Sequence, residues 1–139
     1  MAAEGKSRFN LGCAFLDQLP HRAVDVDDGF AVEIDVTDDM RGPAGSVHGG
    51  LVSMLVDVAA ASSIARATGR PVATASTSIQ YLAAGREGPL RATGTVLRAS
   101  EALGVVDVKV VDMGRDERLL AAAHVTLRFL SGEGYVRQT

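Results

Sequence analysis

Residues Leu51 to Thr68 form an apolar run that must be buried on nearly every side. At ~3.6 residues per turn the run makes about five turns of helix. Leu51, Val52, Met54, Leu55, Val56, Val58, Ala59 to Ala61, Ile64 and Ala65 leave no continuous polar face. A helix that is apolar all round belongs in a wrapped core or in a membrane. A spanning helix takes ~20 uncharged residues. This run carries Asp57 at its middle and shades into Ser62, Ser63 and Arg66. It therefore reads as a core helix around which the rest of the chain must fold. Gly69 suits the position just past its end, and Pro71 stops it from continuing.

Asp57 is the anomaly of the run. It is the only charged residue between His48 and Ala65. Asp is a poor helix-interior residue, and an unpaired buried carboxylate costs several kcal/mol or takes up a proton. Two readings follow. Asp57 either pairs with a buried donor, on a narrow polar stripe with Ser53 and Ser63, or it is a catalytic carboxylate in a mostly apolar cleft.

Composition bounds the rest. A chain of 139 residues suits one domain with one sizeable core. Hydrophobic residues make up 47% and charged residues 22%, which is the balance of a soluble globular protein. The 14 basic and 17 acidic residues give a net charge of −3, with no basic run or basic-aromatic cluster, so nucleic-acid binding is disfavoured. Cys13 stands alone, which excludes an internal disulfide and a cysteine zinc site. Met1 to Arg8 has no apolar core of signal-peptide length, and a cytoplasmic setting is expected, with no membrane partner. The expected organisation is a single domain over 1–139 with flexible ends at about 1–8 and 131–139.

Along the chain, Phe9 to Leu19 suggests a short helix ended by Pro20. His21 to Val26 reads as a strand, Asp27-Asp28-Gly29 as a hairpin turn, and Phe30 to Val36 as a half-buried strand alternating Phe30, Val32, Ile34 and Val36 with polar or small residues. Asp38 to Gly45 is a loop broken by Gly42-Pro43. Beyond the helix, Val72–Tyr81, Pro89–Arg98, Leu103–Val111 and Arg118–Leu130 read as strands separated by turns such as Gly85-Arg86-Glu87-Gly88 and Asp112 to Asp116. Short connections favour an antiparallel meander. One helix cannot cover both faces of a sheet, but a curved sheet wrapping it would bury it all round. Pairing with a second copy would cover the remaining sheet edge.

The order of elements, with Gly45-Ser46-Val47-His48-Gly49-Gly50 opening the helix and Leu55-Val56-Asp57-Val58-Ala59 inside it, resembles the hotdog-fold thioesterases of the phenylacetate-pathway (PaaI-like) type. The resemblance covers roughly His21 to Leu130. It implies an α+β hotdog fold, a curved antiparallel sheet around one long central helix, and hydrolysis of acyl-CoA thioesters. It implies that the Gly49 N–H polarises the thioester carbonyl and that Asp57 is the general base or the nucleophile. His48 would shape the loop that presents Gly49, Gly50 would lie against the substrate, and Thr74 would sit near the attacking water. A homodimer or a dimer of dimers is implied, and no cofactor.

Elementary chemistry agrees with these roles. A helix N-terminus offers unpaired N–H groups and about half a positive charge, which stabilises the oxyanion formed when a thioester carbonyl is attacked. Glycines at 49 and 50 let a bulky substrate approach the backbone. A carboxylate in an apolar cleft is raised in pKa and becomes a better base. Gly49 and Asp57 are eight residues apart, about 12 Å along one helix at ~1.5 Å per residue. Both can act on one carbon only if an antiparallel copy of the helix brings its Asp57 beside this chain's Gly49.

Other assignments were weighed. His48 and Asp57 fall on opposite helix faces and cannot share a metal, and the three histidines are scattered, so no metal site is expected. Ser46 and Ser53 lie in no Gly-x-Ser-x-Gly setting. Arg86 and Arg91 flank a turn and are candidates for the CoA phosphates, Arg86 above all; His21 and His124 read as structural. Where related sequences place Asn or Gln three residues before the motif's first Gly, this chain has Gly42, and Ala61 stands where some have Thr. That departure keeps open a non-catalytic acyl-CoA-binding protein. A hydratase or dehydratase using His48 as base is the other alternative.

Overall fold

The computed structural model of the chain describes residues 12–131. A single turn of helix, α1 (Ala14–Asp17), precedes strands β1 (His21–Val24) and β2 (Phe30–Ile34). A 3-10 turn at Asp38–Met40 leads to the long helix α2 (Gly49–Thr68). Strands β3 (Val72–Tyr81), β4 (Leu90–Ala99), β5 (Leu103–Asp112) and β6 (Arg118–Phe129) follow, with a 3-10 turn at Met113–Arg115 between the last two. The short helix expected over Phe9–Leu19 is thus confined to four residues, and Phe9 and Leu11 lie outside the described part. The expected flexible ends lie outside it too, apart from Ser131.

The apolar run packs one side on the sheet, but the sheet does not bury it all round as its composition suggests: in the single chain Asp57 is exposed and Ser53, Met54 and Ala61 are half-buried. By length and composition Gly49–Thr68 would pass for a membrane span, but Leu55, Val56, Ala59, Ala60 and Ile64 are at most 2% exposed and face the sheet. All six strands form one antiparallel sheet that packs on α2 from β2 across to β3. Close approach is built in at Gly94 of β4. A Cβ there would collide with Ser63 Oγ and stand 2.9 Å from the Ala59 carbonyl. Ser63 is buried and returns its hydroxyl to Ala59 C=O at 2.6 Å, so it takes no part in a polar stripe with Asp57. Gly69 ends the helix in the left-handed region, φ 69°, donating its N–H to Ala65 C=O.

Two features depart from the sequence reading. First, the strands are not one continuous meander. The sheet order is β1-β2-β4-β5-β6-β3, so β3 leaves its sequence neighbour and pairs with β6 at the far edge. A helix of 20 residues carries the chain about 30 Å, and the strand that follows is delivered to the opposite side of the sheet. The chain then returns through residues 82–89 to begin β4 beside β2. Second, β2 is buried at all five positions rather than alternately. Glu33, 6% exposed, is the reason on the polar face. It is the register partner of both Arg22 and Arg91, and the two guanidinium groups close over it from either side with contacts of 2.7 to 3.1 Å.

Candidate active site

The loop before α2 is held by its own backbone. Arg41 and Val47 form an antiparallel bridge, Gly42 N–H donates to Ser46 C=O at 2.8 Å, and His48 N–H donates to Met40 C=O at 2.9 Å. On the other side Val47 N–H donates to Gly85 C=O at 2.9 Å, which docks the β3–β4 connection against the loop. His48 then caps the helix, its Nδ1 accepting from Gly50 N–H at 2.9 Å. An accepting Nδ1 leaves the ring proton on Nε2. A Cβ at 50 would stand 2.9 Å from that Nδ1, so a larger residue there would push the ring off the cap.

The cap decides which amide remains open. A helix begins with four N–H groups that lack intrahelical partners. Here His48 N–H goes to Met40 C=O, Gly50 N–H to the His48 ring, and Leu51 N–H to His48 C=O, each at 2.9 Å. Among the described residues no acceptor takes the fourth, the Gly49 N–H. Gly49 is exposed, and the Tyr81 hydroxyl donates to its C=O at 3.3 Å. The helix N-terminus therefore presents one free donor, backed by the macrodipole, at an accessible surface.

Asp57 lies two turns further along the same open face of α2. In the single chain it is exposed. Its Oδ1 accepts from Thr74 Oγ1 of β3 at 2.6 Å. Among the described residues neither a cation nor a buried donor pairs with it. Thr74 and Asp57 are thus brought together, while His48, Gly49 and Gly50 gather at the helix start with Tyr81. Arg86 is exposed and follows Gly85, the residue bonded to Val47, so its loop borders the helix start. Arg91 does not serve there, being committed to Glu33. His21 is bonded to Leu19 C=O and His124 to Asp107.

A groove of about 490 Å³ runs beside the helix start, lined by Phe15, Leu19, Met40, Leu51 and Met54 together with Asp39, Arg41, His48 and Gly50. Another cavity, about 390 Å³, lies at the far end of the helix between Phe30, Arg66 and Gly94, away from every predicted site residue.

One contributor escaped the sequence reading. Asp112 sits in what reads as an ordinary turn, yet it is fully buried and accepts four backbone N–H bonds, from Arg86, Glu87, Gly88 and Gly114 at 2.8 to 3.2 Å. Burial by itself would raise its pKa; the four donors outweigh that and hold the carboxyl below its ordinary value. The flanking glycines, 85, 88 and 114, were the available hint of a tight backbone nest.

One helix wrapped by a six-stranded antiparallel sheet, with an open donor at the helix start and a carboxylate two turns on, is the hotdog architecture of the thioesterases. The family comparison agrees. Residues 44–119, more than half of the chain, match the thioesterase superfamily, and the protein belongs to it. Among solved structures, a protein of that superfamily is 28% identical, with a TM-score of 0.79 over 91% of this chain and 96% of its own. The E. coli PaaI protein from the phenylacetic acid degradation operon is 25% identical, TM-score 0.78, over 86% of each chain. A hypothetical thioesterase from Streptococcus pneumoniae, solved with coenzyme A, shares the fold at 23% identity and TM-score 0.71, over 80% of this chain and 86% of its own. No curated protein matches the chain significantly.

Proposed function

We propose that this protein hydrolyses acyl-CoA thioesters to the free acid and CoA, at a site shared between two copies of the chain. The observation that carries the reading is the unpaired Gly49 N–H at the helix start, with Asp57 exposed eight residues further along the same helix. The thioester carbonyl oxygen accepts from Gly49 N–H. Asp57 of the partner subunit takes a proton from water, whose oxygen attacks the carbonyl carbon. The resulting oxyanion is stabilised by the same N–H and the helix dipole. Collapse breaks the C–S bond, and the proton passes to the departing CoA sulfur.

A shared site follows from distance. About 12 Å of helix separates Gly49 from Asp57, too far for one carbonyl to meet both in one chain. The edge strand β3 supports a second copy as the solution. It is ten residues long and exposed from Thr74 through Ser78, the kind of open edge that a partner strand covers. The apolar groove at Leu51 and Met54 suits a hydrophobic acyl group, and the exposed Arg86 suits a CoA phosphate.

His48 serves this reading as a cap. With Nδ1 engaged, its ring proton is on Nε2, so the ring is not poised as the base of a hydratase. The absence of a side chain at Gly42 favours one alternative, a protein that binds acyl-CoA without turning it over. Free-thiol release from acetyl-, hexanoyl-, palmitoyl- and phenylacetyl-CoA tests the proposal directly. Turnover lost in Asp57→Asn is the expected result. Binding of these thioesters by calorimetry without turnover of any would instead establish the binding protein.

A further inference from the structure

Asp112 is a buried carboxylate held by backbone amides. It ends β5, is 0% exposed, and among the described residues no basic side chain pairs with it. Oδ2 accepts from Arg86 and Glu87 N–H at 2.9 and 3.1 Å, and Oδ1 from Gly88 and Gly114 N–H at 2.8 and 3.2 Å. The first three donors are consecutive, so the connection between β3 and β4 forms an anion nest filled by the protein's own carboxylate.

The nest leads to the helix start. The Arg86 N–H and the Gly85 C=O belong to one peptide group. Its N–H points at Asp112, and its C=O accepts from Val47 N–H at 2.9 Å. Val47 is buried and immediately precedes the His48 cap and the open Gly49 amide. One peptide plane therefore spans the gap between a fixed charge and the loop that carries the donor. Hydrogen bonds in series polarise and strengthen one another. The shelf has little slack. A Cβ on Gly85 would lie 3.1 Å from Leu120 Cδ1, 3.4 Å from Val47 Cβ and 3.5 Å from Leu90 Cδ1. Two roles are available to Asp112. It either staples a loop to a turn and affects stability alone, or it also sets the geometry of the donor. The shared peptide group favours the second, because any rotation that frees the Arg86 N–H also withdraws the Gly85 C=O from Val47.

We propose that Asp112 is a positioning residue for the thioester-carbonyl site: by pinning the Gly85–Arg86 peptide it fixes Val47, and through Val47 the direction of the Gly49 N–H. This rests on the reading of Gly49 as the carbonyl donor. The effect should fall on kcat, since an oxyanion contact that tightens in the transition state is what a displaced donor loses.

The test uses the full chain and the Asp112→Asn variant, which keeps the size of the side chain but replaces one acceptor oxygen by an NH₂ facing backbone donors. On the fastest acyl-CoA of the panel above, kcat should fall by about tenfold or more with KM within about threefold. Ile64→Val, a core change at the other end of α2, is the control for lost stability and should keep kcat. Amide hydrogen exchange should speed up at Val47 and stay slow at Ala59. A kcat within about twofold of wild type, or a change confined to KM, would overturn the proposal. If Asp112→Asn does not fold, Gly85→Ala displaces the same peptide from the other side, and an unchanged kcat there overturns it equally. If the wild type hydrolyses none of the thioesters, the thioesterase reading fails on its own. Exchange at Val47 then decides the positioning claim, and unaltered exchange in either variant refutes it.

Discussion

The Thr74 hydroxyl donates to Asp57 Oδ1 across 2.6 Å, tying the edge strand β3 to the open face of α2. The bond orients the carboxylate while leaving Oδ2 without a protein partner among the described residues. Positioned general bases contribute about 10²- to 10⁴-fold to rate. Asp57→Asn should therefore lose about that factor in kcat with thioester binding retained. Thr74→Val, which removes only the orienting bond, should lose about tenfold, the value of one hydrogen bond to a charged group. Thiol release in the steady state measures both. An Asp57→Asn enzyme with near-wild-type kcat would remove the carboxylate from the mechanism.

Shared sites make a quantitative prediction. Asp57→Ala and Gly49→Val should each be inactive as pure proteins. In a randomly mixed population, half of the dimers are hybrids, and each hybrid holds one site with both defects and one with none. Activity should return to about a quarter of wild type. Verified hybrids with no recovery would place the whole reaction inside one chain.

The two arginines beside the β3–β4 turn should separate cleanly. Arg86 is exposed and unpaired through its side chain among the described residues, whereas Arg91 gives two bonds to the buried Glu33. Arg86→Ala should raise KM for acyl-CoA but not for the matching N-acetylcysteamine thioester, which lacks the nucleotide. Arg91→Ala should leave KM alone and cost on the order of 2 kcal/mol of stability, because it strips one partner from a buried carboxylate that keeps Arg22. A KM effect in Arg91→Ala with stability intact would reverse the assignment.

Asp112 carries the acid sensitivity of the loop. Its carboxyl is held below the ordinary carboxylate value in the folded chain, so the unfolded chain binds the proton more readily. The stabilisation is then fully present above the unfolded value of about 3.9 and is lost as pH falls toward the native one. Asp112→Asn should lower unfolding stability by roughly 1–3 kcal/mol near neutrality. The gap between wild type and variant should stay constant from about pH 6 to 8 and close below about pH 4. Urea midpoints across that range test it, and a gap that widens in acid would contradict the sign.

The helix and its capping signals were legible because they are local. Leu51–Thr68 reads as a helix by its length and apolar content, Gly69 ends it, and the His48-Gly49-Gly50 start needs only neighbouring residues to form the cap. The sheet order was not legible. Val72–Tyr81 has the same strand-forming content whether it is an edge or an interior strand, and its place depends on where a 30 Å helix sets the chain down. Glu33 read as solvent-facing, since its cover comes from Arg22 and Arg91 on two other strands.

What the sequence determined by itself is what the nearest neighbours along the chain enforce: one buried helix, the strands that wrap it, and a glycine amide left over at a capped N-terminus. Tertiary structure alone decided that Asp57 meets Thr74 on an open face, that β3 is an edge strand, and that Asp112 is joined to the helix start through the Gly85–Arg86 peptide. Those relationships link residues 17 to 65 positions apart. No local propensity encodes them, because they exist only once the folded sheet has brought its edges and turns around the helix.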